Sequence, residues 1–393
     1  MEKKHIILLG RRNNGKSSLI NAFTGQQTAI VSEIPGTTTD PVKKSYEIPG
    51  FASVIFIDTA GSDDQGILGQ KRTEKTFQAL TRADLAIVTI SANQFGEEEE
   101  KLIERLKKFS IPFIIVHTKS DLIPLKPALK SELEQKYRVP VKDFSIRHPE
   151  KCGELIGELQ NIAPLSPHRS LLGDILEPND ILLLVTPVDS EAPVGRLILP
   201  QVQMIRDILD NRCISVVLQP EEIPSFLKTG LVPRLTITDS QAFKRVSELL
   251  PVHWPLTSFS IVLARHKGNF EKYLQGTKYI RQLSENDRIL MLESCSHHVS
   301  CEDIGRVKIP ALLQKFTNLR LNFDFIAGLD PIPRSVKDYA LIIQCGGCMV
   351  TAKQLENRLL PFLEAGVPVS NYGMTLAYIQ GIFGRAVAPL TSS

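Results

Sequence analysis

The sequence predicts an α/β protein with mostly parallel sheets, divided into more than one domain. Three observations lead there. At 393 residues the chain is too long for one ordinary hydrophobic core. Short apolar runs, of the kind that form strands buried on both faces, alternate with helical patterns along it. A glycine-rich loop also joins the first such run to the first helical stretch.

Up to about residue 164, strands are expected at 6–9, 54–58, 85–90 and 112–117, each a short apolar run bounded by turn signals. Helical patterns at 17–23, 97–109 and 125–137 follow the first, third and fourth of them. The run Glu97 to Glu100, closed by Lys101, reads as the solvated face of a helix start. Residues 163–170 have the proline-rich, polar character of a linker. The segment 171–265 repeats the theme, with strands at 181–185 and 214–218 and a helix at 201–209 between them. It carries no catalytic constellation, so a dimerisation surface is the expectation. The segment 266–393 has strands at 289–292 and 341–343, each running into a cysteine, with a crossover helix near 309–316. If those strands are parallel neighbours, Cys295, Cys345 and Cys348 meet at one rim.

Composition narrows the function. The chain is 42% hydrophobic and 23% charged, and its 46 basic and 43 acidic side chains leave a net charge of +3. Nothing in that balance supports binding to nucleic acid or a membrane surface through bulk charge. No apolar stretch approaches a membrane span, and the run 6–9 is too short for a signal peptide, so a cytoplasmic protein is expected. Six cysteines in such a chain point to metal or redox chemistry rather than disulfides.

Gly10-Arg-Arg-Asn-Asn-Gly15-Lys16-Ser17 has the spacing of a phosphate-binding loop and lies between a strand and a helix. Its glycines let backbone N–H groups wrap phosphates, with Asn13, Asn14 and Ser18 completing the cradle. Lys16 reaches the outer phosphates, Ser17 gives an oxygen to magnesium, and the helix N-terminus adds its positive dipole. Asp58-Thr-Ala-Gly61 ends a strand: Asp58 holds magnesium through water and the Gly61 N–H senses the terminal phosphate. Thr37 and Thr38, in Pro35-Gly-Thr-Thr-Thr-Asp40, occupy a switch loop, and Thr38 is the expected magnesium ligand. Thr118-Lys119-Ser-Asp121 is the base-reading element. Asp121 accepts two hydrogen bonds that guanine offers and adenine does not, so GTP is the expected nucleotide.

These elements resemble the translation-factor-like GTPases of tRNA modification and ribosome assembly. The resemblance implies a potassium ion at Asn13. It also marks departures. Thr118 stands where that group has asparagine, so a hydrogen bond to the base or the loop is expected to be lost. Ser62 follows Gly61 where Ras-like proteins place a glutamine, no catalytic base is evident, and slow turnover is expected. Ser145 is the best remnant of the group's fifth motif.

Cys345-Gly-Gly-Cys348 follows a strand and precedes a helical pattern at 351–363, while Cys295-Ser-His297-His298 adds a thiolate and two imidazoles. A redox dithiol, a structural zinc and a 4Fe-4S cluster held by three thiolates all fit this spacing. Cys152 and Cys213 read as small buried hydrophobes, and Cys301 is ambiguous. Taken together, the switch motif, Ala192-Pro-Val-Gly-Arg-Leu-Ile-Leu-Pro-Gln-Val202, Glu293-Ser-Cys-Ser-His-His298 and Cys345-Gly-Gly-Cys348 resemble the FeFe-hydrogenase maturation GTPases of the HydF family over essentially the whole chain.

The resemblance implies an N-terminal P-loop GTPase domain (1–164), a dimerisation domain (171–265) and an iron–sulfur cluster-binding domain (266–393), the last two smaller α/β domains with mostly parallel sheets. It also implies a homodimer holding a 4Fe-4S cluster on Cys295, Cys345 and Cys348. Such a scaffold carries a transient di-iron subcluster, takes precursors from two radical-SAM maturases and serves apo FeFe-hydrogenase. Gln344 stands where the family often has histidine, so the fourth cluster ligand stays open, with His297 and Glu302 among the candidates. The rival reading is a zinc-stabilised GTPase of tRNA modification or ribosome assembly.

Overall fold

The computed structural model describes residues 4–24, 42–48, 52–59, 79–162, 170–188, 197–294 and 303–391. The chain forms two compact units, Met1–His168 and Arg169–Ser393.

In the first unit, β1 (Lys4–Leu9), β2 (Val42–Ile48), β3 (Ala52–Asp58), β4 (Leu85–Ser91), β5 (Phe113–Thr118) and β6 (Val141–Asp143) form one sheet of order β2-β3-β1-β4-β5-β6. All neighbours are parallel except β2 on β3. Helices α1 (Lys16–Thr24), α2 (Glu97–Lys108), α3 (Pro127–Tyr137) and α4 (Cys152–Ile162) pack on it. The runs read as buried strands are buried: Ile6 to Leu9 and Leu85 to Val88 have 0% exposure. Alternate residues of these strands feed separate cores. Ile7, Leu9, Ala86 and Val88 join Leu102 and Ile103 of α2, while Ile6, Leu8 and Ile87 join Leu19 and Phe23 of α1.

The second unit holds two four-stranded parallel sheets. The first, of order β10-β9-β7-β8, is made by β7 (Ile181–Val185), β8 (Ile214–Leu218), β9 (Leu235–Thr238) and β10 (Leu256–Ser258). The second, of order β12-β11-β13-β14, is made by β11 (Arg288–Leu292), β12 (Asn322–Ile326), β13 (Leu341–Gln344) and β14 (Val369–Asn371). Helices α5 (Leu199–Asp210), α6 (Ile223–Leu227), α7 (Phe243–Leu249), α8 (Phe259–Lys267), α9 (Phe270–Lys278), α10 (Ile309–Thr317), α11 (Ala352–Glu364), α12 (Tyr372–Ile379) and α13 (Phe383–Thr391) are the α-helices of this unit among the described residues. One apolar core runs from Leu182 to Val185 through Ile261 and Val262 of α8 to Leu290, Ile342 and Phe362, so both sheets share it.

Strand order positions the sites. In the second sheet of this unit the chain leaves β11 for β12 on one side and returns to β13 on the other. The crevice at the carboxyl ends of β11 and β13 is therefore a topological switch point, where open α/β sheets receive ligands. β11 and β13 are parallel neighbours, which is the condition the sequence reading left open, with Leu292 paired to Gln344. Residues 293–294 and 345 thus leave the sheet together. In the first unit β1 lies between β3 and β4, and its carboxyl end releases the glycine-rich loop.

Candidate functional sites

The phosphate-binding loop is built around backbone conformations that few side chains tolerate. Gly10 has φ +140°, and a Cβ there would sit 2.4 Å from the Thr89 carbonyl oxygen, so only glycine passes β4. Asn13 (φ 58°) and Gly15 (φ 72°) are also left-handed. Lys16 is buried, its ammonium donating to the carbonyls of Gly10 at 2.8 Å and Arg11 at 2.7 Å, which holds the charge inside the loop. Ser17 Oγ donates to Asp58 Oδ2 at 2.5 Å, placing the two expected magnesium-site oxygens together. Asn14 is fixed from both ends of its carboxamide, by the Thr89 carbonyl at 3.0 Å and the Ser91 hydroxyl at 2.8 Å. Asn13 is exposed.

Two expectations are corrected here. Thr118 does not lose the link to the loop: its buried hydroxyl donates to the Asn14 carbonyl at 2.8 Å, so a shorter side chain does the tethering. Glu99 is not on a solvated face. It is 0% exposed and accepts both Arg11 Nε at 2.7 Å and Arg11 Nη2 at 2.8 Å, as well as the Gly96 N–H at 3.0 Å. Its neighbours do face solvent, Glu97 pairing with Lys101 and Glu100 with Lys136. The helical period sends one carboxylate of the four inward, and only the tertiary partner shows which.

Lys119 adopts φ 57°, turning the chain at the end of β5. Asp121 accepts Ser145 Oγ at 2.6 Å and faces Arg147 at 3.2 Å. The Ser145 hydroxyl is the main cause that holds the Asp121 carboxyl below its ordinary range, with Arg147 adding to it. Ser145 is 1% exposed and also accepts the Arg147 N–H, so the residue expected as the fifth-motif remnant orients the Asp121 carboxylate. Thr37, Thr38 and Gly61 lie outside the described residues.

At the rim of β11 and β13, Cys345 takes its place through its own N–H, which donates to the Leu292 carbonyl at 2.9 Å. Its sulfur accepts the Ser294 N–H at 3.1 Å and lies 2.9 Å from Ser294 Oγ. The Gln344 amide nitrogen is 3.4 Å from the same sulfur, 3.1 Å from Ser294 Oγ and 3.2 Å from the Cys345 carbonyl. A thiolate at Cys345 would therefore meet a backbone N–H, a hydroxyl and a carboxamide N–H. The turn that follows, with Gly347 at φ 74°, is pinned by buried Lys267, whose ammonium donates to the Gly347 and Val350 carbonyls at 2.9 Å each. Burial pushes the Cys348 thiol up, as does the neighbouring Cys345, and Lys267 opposes them.

Arg358 of α11 is buried and donates to the Glu293 carbonyl at 2.7 Å and the Ile326 carbonyl at 3.1 Å. Burial pulls it down to about 10, so it is a cation at neutral pH, and Cys345 is the strongest influence favouring its charge. Glu293 itself takes a bidentate grip from Arg306, at 3.0 Å from Nε and 2.8 Å from Nη2. The rim thus combines sulfur with buried positive charge, an arrangement suited to anionic sulfur. Gln344, Ser294, Lys267 and Arg358 were not singled out as ligands or supports in the sequence, because their roles come from partners 50 to 80 residues away that only the fold supplies.

Cys213 is 6% exposed in the core, and Cys152 is half-buried with its thiol pushed up to about 11 by burial, in keeping with packing roles. Among the described residues no three His, Cys, Asp or Glu side chains gather as a metal-binding group. Cys295, His297, His298, Cys301 and Glu302 lie outside the described residues.

Comparison with known proteins sorts these parts. Residues 5–119 match the family model described as a 50S ribosome-binding GTPase. Residues 171–268 match the hydrogen maturase F dimerization domain, and 271–389 match the hydrogen maturase F tetramerization domain. The chain belongs to the hydrogen maturase F family.

Its first unit is a GTPase domain, and matches to dimerization and tetramerization models mark the remainder as an oligomerising part. Among curated relatives, the tRNA modification GTPase MnmE of Nitrosomonas europaea is 39% identical over 127 residues, 32% of this chain and 28% of the relative. GTPase Der of Wolinella succinogenes is 40% identical over 119 residues, 29% of this chain and 25% of the relative. The chain thus spans little more than a quarter of these relatives' lengths. Among solved structures, Aquifex aeolicus Era bound to GDP.AlF4- shares 21% identity, covering 58% of this chain and 98% of that one, at a TM-score of 0.39. Among the described residues no helix is long and apolar enough to cross a membrane.

Proposed function

We propose that this chain is a cytoplasmic, GTP-hydrolysing scaffold for FeFe-hydrogenase maturation, which holds a 4Fe-4S cluster and hands a di-iron subcluster to apo-hydrogenase. One observation carries the cluster reading. Ser294, the residue immediately before Cys295, touches the sulfur of Cys345 through both its N–H and its hydroxyl. Cys345 and the residue next to Cys295 thus leave neighbouring parallel strands at one switch point.

The donor set fits the group. Cys345 and Cys348 would hold iron together with Cys295, while His297, Glu302 or a small molecule would take the fourth position. Lys267 keeps the Cys-Gly-Gly-Cys turn in shape, and the Arg358 cation offsets the negative charge of the thiolates. When bound, the cluster supplies an iron with an exchangeable coordination position for the cargo. The domain at 171–265 would pair two copies, and two radical-SAM maturases would deliver precursors.

At the other site Ser17 and Asp58 would share magnesium, with Thr38 closing the shell on GTP. Lys16 would leave its loop carbonyls for the outer phosphates, and Asp121, oriented by Ser145, would read guanine. Asn13, exposed at the loop apex, would hold a potassium ion that lends charge to hydrolysis. GTP state then times association and release through the segments around Thr37 and Thr38.

Anaerobic purification followed by iron, sulfide and zinc analysis tests the reading. About four irons and four sulfides per chain, lost in Cys345→Ser, are expected. Stoichiometric zinc without sulfide would instead make this a zinc-stabilised GTPase. GTP turnover in the same preparation is expected to be faster in potassium than in sodium, and equal rates would remove potassium from Asn13.

A further inference from the structure

Resting on the cluster reading above, we propose that Gln344 is a positioning residue whose carboxamide N–H holds the Cys345 sulfur and raises the reduction potential of the group bound there. The placement is structural. Gln344 is the last residue of β13, it is 0% exposed, and its amide nitrogen reaches Cys345 Sγ, the Cys345 carbonyl and Ser294 Oγ. Its backbone carbonyl is in turn fixed by Asn371 Nδ2 at 3.2 Å, so the side chain starts from a held position.

A second observation points the same way. The other end of this carboxamide, Oε1, is buried and has no hydrogen-bond partner among the described residues. A buried acceptor left unpaired is destabilising, so such an atom calls for an explanation in what the site binds. It shares a carbon with the nitrogen that contacts the sulfur and therefore lies beside the same rim. A protic ligand on the cluster, such as water, would satisfy it. A carboxamide in this position does two things an imidazole ligand would not. It donates to the sulfur instead of occupying a coordination position, and it leaves an acceptor for an exchangeable ligand.

The sign of the electronic effect follows from charge. Reduction adds negative charge to a cluster and its thiolates, and an N–H donated to sulfur stabilises that charge, raising the potential. Ser294 contributes through the same sulfur, and its N–H is a main-chain group that substitution leaves in place.

The test is an anaerobic reconstitution of the full chain with ferrous iron and sulfide, for wild type, Gln344→Leu and Gln344→Met, followed by potentiometric titration monitored by electron paramagnetic resonance. Both variants are expected to carry wild-type iron and sulfide with a potential shifted negative, because both lose the N–H donor without adding charge. Wild-type potentials in both variants at full cluster content would overturn the proposal, as would a positive shift. A Gln344→Leu chain that binds no iron leaves Gln344→Met to decide, and loss of cluster from Gln344→Met as well would make the residue a structural requirement and overturn the potential-setting role. A wild-type chain that assembles no cluster overturns the underlying cluster reading instead.

Discussion

Single hydrogen bonds set the chemistry at both sites. The guanine reading proposed for Asp121 needs the anion, and the Ser145 hydroxyl is what chiefly holds its carboxyl below the ordinary range. A lowered carboxyl stays ionised further into acid: binding that needs the anion is present above the ordinary carboxylate value and is lost as pH falls through the lowered one. Ser145→Ala should raise the Asp121 carboxyl and move the acid limb of guanine-nucleotide binding to higher pH. A fluorescent GDP analogue titrated across the acid range reads this directly, and an unmoved limb would show that Ser145 does not orient the base-reading carboxylate. Thr118 teaches a related lesson. Its departure from asparagine is visible in the sequence, but its 2.8 Å bond to the Asn14 carbonyl depends on how closely β5 approaches the loop. The sequence identifies the residue, and the fold decides whether the role survives.

Between elements, Arg11 and Glu99 tie the phosphate-binding loop to the start of α2. The carboxylate is wholly buried and the guanidinium is 28% exposed, so removing the guanidinium leaves a buried carboxylate in low dielectric. Arg11→Met is expected to destabilise the first unit by about 3 kcal/mol, the lower end for breaking a buried pair because Glu99 keeps the Gly96 N–H. Arg11→Met combined with Glu99→Leu should recover most of the loss. Urea unfolding of the single and double variants checks this, and a cost under about 1 kcal/mol for Arg11→Met would class the pair with surface ion pairs.

How much was legible also divides by element. Apolar runs such as 85–88 and Ile181–Val185 announce themselves because strands covered on both faces have few polar residues to interrupt them. β10 and β14 have three residues each, too short to show any period. β12 reads Asn-Phe-Asp-Phe-Ile at a sheet edge, where Asp324 pairs with Arg288 and Arg334 outside the core. β2, the antiparallel edge strand Val-Lys-Lys-Ser-Tyr-Glu-Ile, is equally easy to miss. At the sites, the glycines, Lys16, Asp58 and the cysteine pair were legible because their chemistry is fixed by local spacing. Glu99, Lys267 and Arg358 were not, because burial and a distant partner create their roles, and Gln344 was visible only as a departure from the histidine of the resembled family.

At the scale of the whole molecule, the same topological device recurs. In the first unit the strand that releases the phosphate-binding loop has neighbours on both sides, and in the second unit β11 and β13 do the same for the cysteine rim. Two ligands of different chemistry can therefore be held on one chain without sharing a core. The cores support this: the residues around α1 and α2 form clusters wholly within Met1–His168, and those around both later sheets lie within Arg169–Ser393. Units with separate cores should unfold as separate cooperative steps. Calorimetry of the full chain is expected to show two transitions. Nucleotide at about 100 times its Kd should stabilise only the first unit, by about 2.7 kcal/mol, raising that transition by about 5–10 °C. The second transition should ignore nucleotide and instead depend on protein concentration, because oligomerisation stabilises the part that matches the dimerization and tetramerization models. A single transition that moves as a whole with nucleotide would mean that the two units melt as one. The timing role proposed for GTP would then rest on coupling between them rather than on a change in contacts made by one unit alone.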